Sequence, residues 1–321
     1  MNPESTGANS GMNKLQANLC LLCVTLCWSM ESIIYACIPE SVSPFATTSI
    51  TSFVGSLILF FCFFKRVTDH IRKNTKRVLR RCFILAVLNC IFNALYLFGF
   101  QNLDLSTGAF SISITAVILP IVLISMNSTV KKRTWFSSGV IMLGIVFALF
   151  DTLKVEQIKG IFFIVLGCIF RAYYIIILNK YAKEDDPVTL SSTLSFMVGI
   201  MGFIIWFISH PATFREISWN RQIVASLVIY SYFIVGFAQT LNIFAQKRST
   251  PANATIIYSM EIVFTVIWGC VLPATLIAPV KLTLYIVIGT ILIFIGNVIE
   301  IIDWDYFKAK FRGEAQYEGE G

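Results

Sequence analysis

Histidine is nearly missing from this chain: His70 and His210 are the two examples in 321 residues. Neither stands at ligand spacing from a cysteine, and HExxH, GxSxG and P-loop patterns are absent. The metal hydrolases, serine hydrolases and nucleotide-dependent enzymes that those motifs mark are therefore disfavoured, and no cofactor or metal is expected. Charge is scarce as well, at 13% of residues, where a soluble domain carries about 25%. What fills the space is apolar: 56% of the residues are hydrophobic, and phenylalanine alone occurs 28 times. The nine cysteines, among them 20, 23, 27, 62, 90, 168 and 270, lie within apolar runs, where they read as small packing residues rather than a disulfide framework.

Ten apolar segments can be cut from the chain, at about 15–37, 43–64, 81–100, 106–126, 134–151, 159–179, 187–209, 222–246, 251–271 and 281–302. Each is near the ~20 residues that a spanning helix needs. The expected fold is all-α: an integral membrane protein of ten transmembrane helices joined by short connections. Residues 1–14 and 303–321 read as tails, the first polar and disordered. The basic residues test the parse. With the N-terminus inside, 19 of the 25 Lys and Arg fall on the inner side, five on the outer, and Arg171 lies within a span. That bias is the positive-inside signature and implies that both termini are cytoplasmic. The basic run 65–81 reads as a loop held at anionic lipid, with no nucleic-acid partner.

The chain also repeats itself. PFATTSITSFVG (44–55) and PVTLSSTLSFMVG (187–199) align at an offset of 143, matching Pro44 with Pro187, Ser52 with Ser195 and Phe53 with Phe196. CWSMESIIY (27–35) corresponds to IFRAYYIII (169–177), and Thr107 to Thr250. Five spans per copy force the second copy to enter the membrane inverted, an arrangement used by carriers. The two units are expected over 15–151 and 159–302.

These features resemble the EamA type of the drug/metabolite transporter superfamily. The likeness rests on Trp28, the Pro44-led second span, FGFQNLDLSTGAFSISITAVILPIV (98–122) with Pro120, and its second-half counterpart IFAQKRSTPANATIIYSMEIVF (243–264). Ser137 and Gly144, with Gly289 and Gly296, fall at the glycine positions of each half's last span. Ile262 replaces the family's proline after Glu261, Ser29 replaces a glycine after Trp28, and Thr51 stands near a place often held by a basic residue. The resemblance implies that spans 1–4 and 6–9 surround a central cavity. Spans 5 and 10 would then be peripheral, in a monomer or a homodimer. It also implies metabolite, amino-acid or drug transport; with Arg171 the one basic residue inside a span, a bacterial-type plasma membrane is expected over an organelle.

Polar residues inside the spans nominate the site. Glu31 interrupts an uncharged stretch of the first span. A charge at that depth costs at least ~2.5–3.5 kcal/mol and usually faces a cavity. Trp28 shares its face. Helical spacing groups Asn89, Asn93 and Tyr96 in span 3; Ser111 and Thr115 in span 4; Arg171 and Tyr174 in span 6; Tyr232, Gln239 and Asn242 in span 8; and Tyr258, Glu261 and Thr265 in span 9. Each amide can equally serve as glue between helices. Glu31 and Arg171 can equally form a static pair. Trp206 and Trp268 read as lipid-facing or belt residues, Tyr35, Tyr181, Tyr285 and Tyr306 as interfacial anchors, and Glu300, Asp303 and Asp305 as solvated edge residues.

The expected substrate is a small polar or amphipathic metabolite, handled by alternating access. Candidate binding residues are Trp28, Glu31, Asn89, Asn93, Tyr96, Ser111, Thr115, Arg171, Tyr174, Tyr232, Gln239 and Tyr258; Glu31 and Glu261 are the candidate proton carriers. Burial disfavours a bare carboxylate, so an acid in such a chamber can take up and release a proton. An organic cation is the rival substrate, held by cation–π contact with the aromatic residues. A channel, a membrane-embedded enzyme and an organellar nucleotide-sugar carrier are further readings.

Overall fold

A computed structural model describes residues 13–36, 38, 42–101, 103, 105–150, 155–209, 217, 219–273 and 282–302, without the side chains of 32, 35, 36, 105, 106 and 109. Most of the two tails, together with His210 and Tyr306, lies outside the described residues, as do Asp303, Asp305 and the side chain of Tyr35. The chain is helical throughout these residues. Among them, eight helices are long and apolar enough to cross a membrane. The remaining two spans, the first and the fourth, are broken into shorter pieces.

Helix α1 is Lys14–Ser29, opened by a capping box in which Asn13 and Gln16 exchange backbone bonds. A turn at Met30 separates it from α2, Glu31–Ala36. Then come α3 (Pro44–Cys62), α4 (Phe64–Phe100), α5 (Leu105–Ile112), α6 (Thr115–Ser125) and α7 (Lys132–Phe150). The second half runs α8 (Ile158–Glu184), α9 (Pro187–Ser209), α10 (Arg221–Tyr230), a π-helical stretch (Ser231–Ala238), α11 (Gln239–Gln246), α12 (Pro251–Tyr258), α13 (Met260–Val271) and α14 (Leu284–Ile301). Pro44 and Pro187 each open the second helix of a half, where a missing N–H costs nothing.

The repeat is visible in the packing. Phe53 and Phe196, equivalent in the two halves, lie ring to ring at 5.7 Å where α3 meets α9. Gly199 lets the α3 backbone approach, since a Cβ there would sit 2.9 Å from the Phe53 nitrogen. The last helices of the halves, α7 and α14, meet in the same way through Gly144 and Gly289. Two inverted five-helix units thus face each other across these two seams. The largest core lies between them, around Leu21, Leu85, Leu119, Ile164, Leu178 and Ile257.

One end of the bundle is basic. There α4 bends at Asn74, whose φ of −135° leaves the helical region. The arginines on either side of the bend reach the α8–α9 corner. Asp185, its side chain 1% exposed, lies 2.7 Å from Arg81, 3.2 Å from Arg77 and 3.6 Å from His70 Nε2. Arg66 holds Asp186 at 2.5 Å, and Arg81 also pairs with Glu184. This network ties the first half to the second.

Burial opposes ionisation of Asp186, but the Arg66 guanidinium and two bonds from Thr189 outweigh it and hold the carboxyl below its ordinary 3.8. A lowered pKa stabilises the fold above the ordinary value and ceases to do so as pH falls through the lowered one. Asp186→Asn should therefore cost about 1 kcal/mol at neutral pH, since Arg66 is largely exposed. Thermal unfolding should show the gap to wild type closing on acidification; a gap independent of pH would remove the ion pair as its cause.

Three assignments from sequence need correction. Trp206 is not lipid-facing: it is 2% exposed, stacks on Phe203 at 6.0 Å and packs with Ala46, Ile223 and Leu227. Trp268 donates its indole N–H to Ser29 Oγ at 2.9 Å, so it joins span 9 to span 1. Glu300 is buried, accepts from Thr134 at 3.1 Å and has Arg133 Nε at 3.6 Å. Here an inner-edge charge has been drawn into the α7–α14 contact instead of being left to solvent.

Candidate functional site

The broken helices define the site. In spans 1, 4 and 9 the α pattern lapses at Met30, at Ser113–Ile114 and at Ser259. Each break is bridged by i→i+3 backbone bonds: Met30 to Cys27, Ser113 to Phe110, and Ser259 to Ile256. Such tight turns interrupt the regular α pairing within the span, and irregular backbone at membrane depth is favoured where it lines a polar cavity. Glu31 follows the first break, Thr115 the second and Glu261 the third.

Arg171, midway along α8, is the centre of charge. It is half-buried, as are Glu31 and Glu261. Its guanidinium lies against the Tyr96 hydroxyl and within charge-interaction range of both glutamates. Among the described residues neither Arg171 nor Glu261 makes an ion pair within 4 Å. The static Glu31–Arg171 pair is therefore not formed. Glu31 is instead held by the hydroxyl of Tyr230, which donates to its Oε1.

Aromatic rings and amides complete the wall. Trp28 lies 5.1 Å from Tyr258, and Phe92 sits 5.5 Å from Tyr174 and 5.6 Å from Tyr96. Gln239 donates to Tyr174 Oη at 3.1 Å. Tyr258 donates to Asn242 Oδ1 and accepts from Gln246 Nε2 at 2.9 Å. Asn93 donates to the backbone and side chain of Asn89, both at 2.9 Å. Asn93 is exposed yet shares a face of α4 with buried Cys82, Ala86 and Tyr96. By helical geometry its exposure is toward the interior of the bundle. Between this chamber and the basic end lies a second polar layer, in which Asn253 donates to Asn18 at 2.7 Å and Asn179 to two backbone carbonyls at 3.0 Å.

Trp28, Glu31, Asn89, Asn93, Tyr96, Thr115, Arg171, Tyr174, Gln239, Tyr258 and Glu261 are thus brought to one region. Ser111 lies beside it, its carbonyl 3.8 Å from Cys168 Sγ, but is fully buried, and its hydroxyl donates to the Thr107 carbonyl of its own helix at 2.7 Å. One candidate is not brought there. Tyr232 is 51% exposed and packs edge-on against Phe233 on the outer face. Its place is taken by Tyr230. The α spacing that joined Tyr232 to Gln239 fails because Ser231–Ala238 is π-helical. With i→i+5 bonds, each such turn takes roughly one more residue than an α turn, so two turns displace the inward face by about two residues. Nothing in the apolar pattern signals this slip.

A multi-pass membrane transporter built of two inverted halves around a cluster of charged, aromatic and amide side chains is the class that this fold and site point to. A profile of the EamA-like transporter family matches residues 15–150 and 158–301, and the chain belongs to that family. An uncharacterized transporter of the archaeon Archaeoglobus fulgidus is 22% identical over 281 residues, covering 87% of this chain and 85% of its own. A protein of known crystal structure superposes with a TM-score of 0.68 at 13% identity, over 88% of this chain and 96% of the other, which establishes likeness of fold.

Proposed function

We propose that this membrane transporter carries a small zwitterionic or carboxylate-bearing metabolite by alternating access, coupled to protons. The observation that carries the reading is the half-buried Arg171 guanidinium and the half-buried Glu261 carboxyl, near each other but not joined in an ion pair. A poorly solvated cation without a matched anion is costly unless something completes it. A carboxylate on Arg171 and an ammonium near Glu261 would do so, with Trp28, Tyr174 and Tyr258 holding the apolar part. The acid–arginine network at the basic end would act as the latch that opens when the chamber turns to that side. The charge bias supports placing that end, with both termini, in the cytoplasm.

The same rings keep an organic cation as the second reading, through Glu261 and cation–π contact. Counterflow in proteoliposomes with Arg171→Gln separates the two. Carboxylate-bearing substrates should lose affinity by roughly thirty-fold or more, the ~2–5 kcal/mol typical of a truncated buried charge contact, while quaternary amines should be unaffected. Equal transport of amino acids by wild type and variant would exclude the zwitterion reading.

A further inference from the structure

We infer that the outer face of the bundle carries a binding site for one anionic phospholipid, between α4 and α8 at the basic end. The site has an apolar part and a charged part. Phe83, Ile84, Val87 and Leu88 of α4, with Tyr173 and Ile177 of α8, line an open groove of about 340 Å³ whose walls expose apolar atoms only. The two helices run antiparallel. Gly99 meets Ile164, Phe92 meets Tyr174, and Arg81 meets Glu184, so groove and charges are fixed in depth relative to each other.

Following the groove toward the basic end, the same helix faces change character. On α4 the stripe Val87, Phe83 continues as Arg80 and Lys76, at the spacing that keeps one helix face. All four lie beyond the bend at Asn74, so the register is unbroken. On α8 the stripe Tyr173, Ile177 continues as Lys180. Their neighbours are committed: Arg77 and Arg81 hold Glu184 and Asp185, Glu184 being the acid on this stripe, and the Arg81 guanidinium also lies 4.6 Å over Tyr181. Lys76, Arg80 and Lys180 are exposed, and among the described residues none of them makes an ion pair. Three uncommitted cations at the mouth of a dry groove match a phosphate headgroup above an acyl chain. Basic pockets between helices at the membrane surface recognise anionic lipids by this combination.

The test uses the full chain, delipidated in detergent. Native mass spectrometry counts retained lipid, and thermal unfolding reads its effect. The probes are phosphatidylglycerol, phosphatidylcholine with the same acyl chains, and inorganic phosphate. Wild type should retain one phosphatidylglycerol in preference to phosphatidylcholine and be stabilised by it, but not by phosphate. Arg80→Gln with Lys180→Gln should abolish the preference, and Val87→Trp should abolish retention of both lipids. The exposed Lys131→Gln with Lys132→Gln, on the far side of the basic end, should leave it intact. Equal retention of the two lipids by wild type, an unchanged preference in the Arg80/Lys180 variant, or a stabilisation that phosphate alone reproduces would each overturn the site.

Discussion

Glu261→Gln should reduce pH-gradient-driven uptake in proteoliposomes to that of empty vesicles while leaving counterflow measurable. The amide keeps the shape and hydrogen-bonding reach of the acid and loses the exchangeable proton. Glu261 is the better candidate of the two glutamates for a geometric reason. Glu31 is engaged by Tyr230, whereas Glu261 faces Arg171 with no ion pair among the described residues. It also lies in the first turn of α13, two residues after the break at Ser259. Ser259 is itself tethered, accepting from Asn297 of α14 at 2.8 Å, so movement at the break is referred to the peripheral seam. Tyr230→Phe should have a milder effect, because a single hydroxyl bond between spans contributes about 0.6–2 kcal/mol. If Glu261→Gln transports as wild type and Glu31→Gln does not, the coupling role passes to Glu31 and the asymmetry argued from Tyr230 is wrong.

The parts of this architecture that sequence exposes are those written as periodicity or as cost. Apolar runs near twenty residues give the spans, charge bias orients them, and an offset of 143 reveals the two halves. Glu31, Arg171 and Glu261 are conspicuous because a charge in an apolar run demands a reason. The helix breaks are hidden because their residues, Met30, Ser113–Ile114 and Ser259, are compatible with a continuous helix and only the backbone pattern departs from it. The π stretch is hidden for the same cause, and it moved the chamber tyrosine from 232 to 230. Trp206 and Glu300 were misplaced because sequence position gives depth in the membrane but not which helix lies alongside. An aromatic near a span end reads as a belt residue until Phe203, Ile223 and Leu227 are seen around it.

Gly289→Ala and Gly139→Ala should shift stability in opposite directions, although each replaces a glycine within a helix. Alanine in a helix interior is favoured over glycine by about 0.8–1 kcal/mol. At Gly139 a new methyl meets nothing within 4 Å, so that gain should appear undiminished as a more stable protein in thermal unfolding. At Gly289 the methyl would sit 2.5 Å from the Gly144 carbonyl oxygen and 2.7 Å from Ala148 Cβ, and the reciprocal change at Gly144 would place it 2.7 Å from the Gly289 oxygen. These are mostly backbone atoms, which cannot turn aside as the end of a side chain can. Overpacking costs typically ~1–3 kcal/mol and more when helices must separate, so the clash exceeds the propensity gain and Gly289→Ala should be destabilising. Gly289→Leu should prevent assembly of the seam. Separation would also break the Ser137 bond to the Gly296 carbonyl, 2.5 Å long and about two turns further along, and uncover the buried Glu300. Small residues let membrane helices approach where no hydrophobic force drives them together. The α7–α14 seam thus joins the halves at a second place besides the α3–α9 contact. A Gly289→Ala protein as stable as wild type would mean that the seam is loose and the halves are held elsewhere.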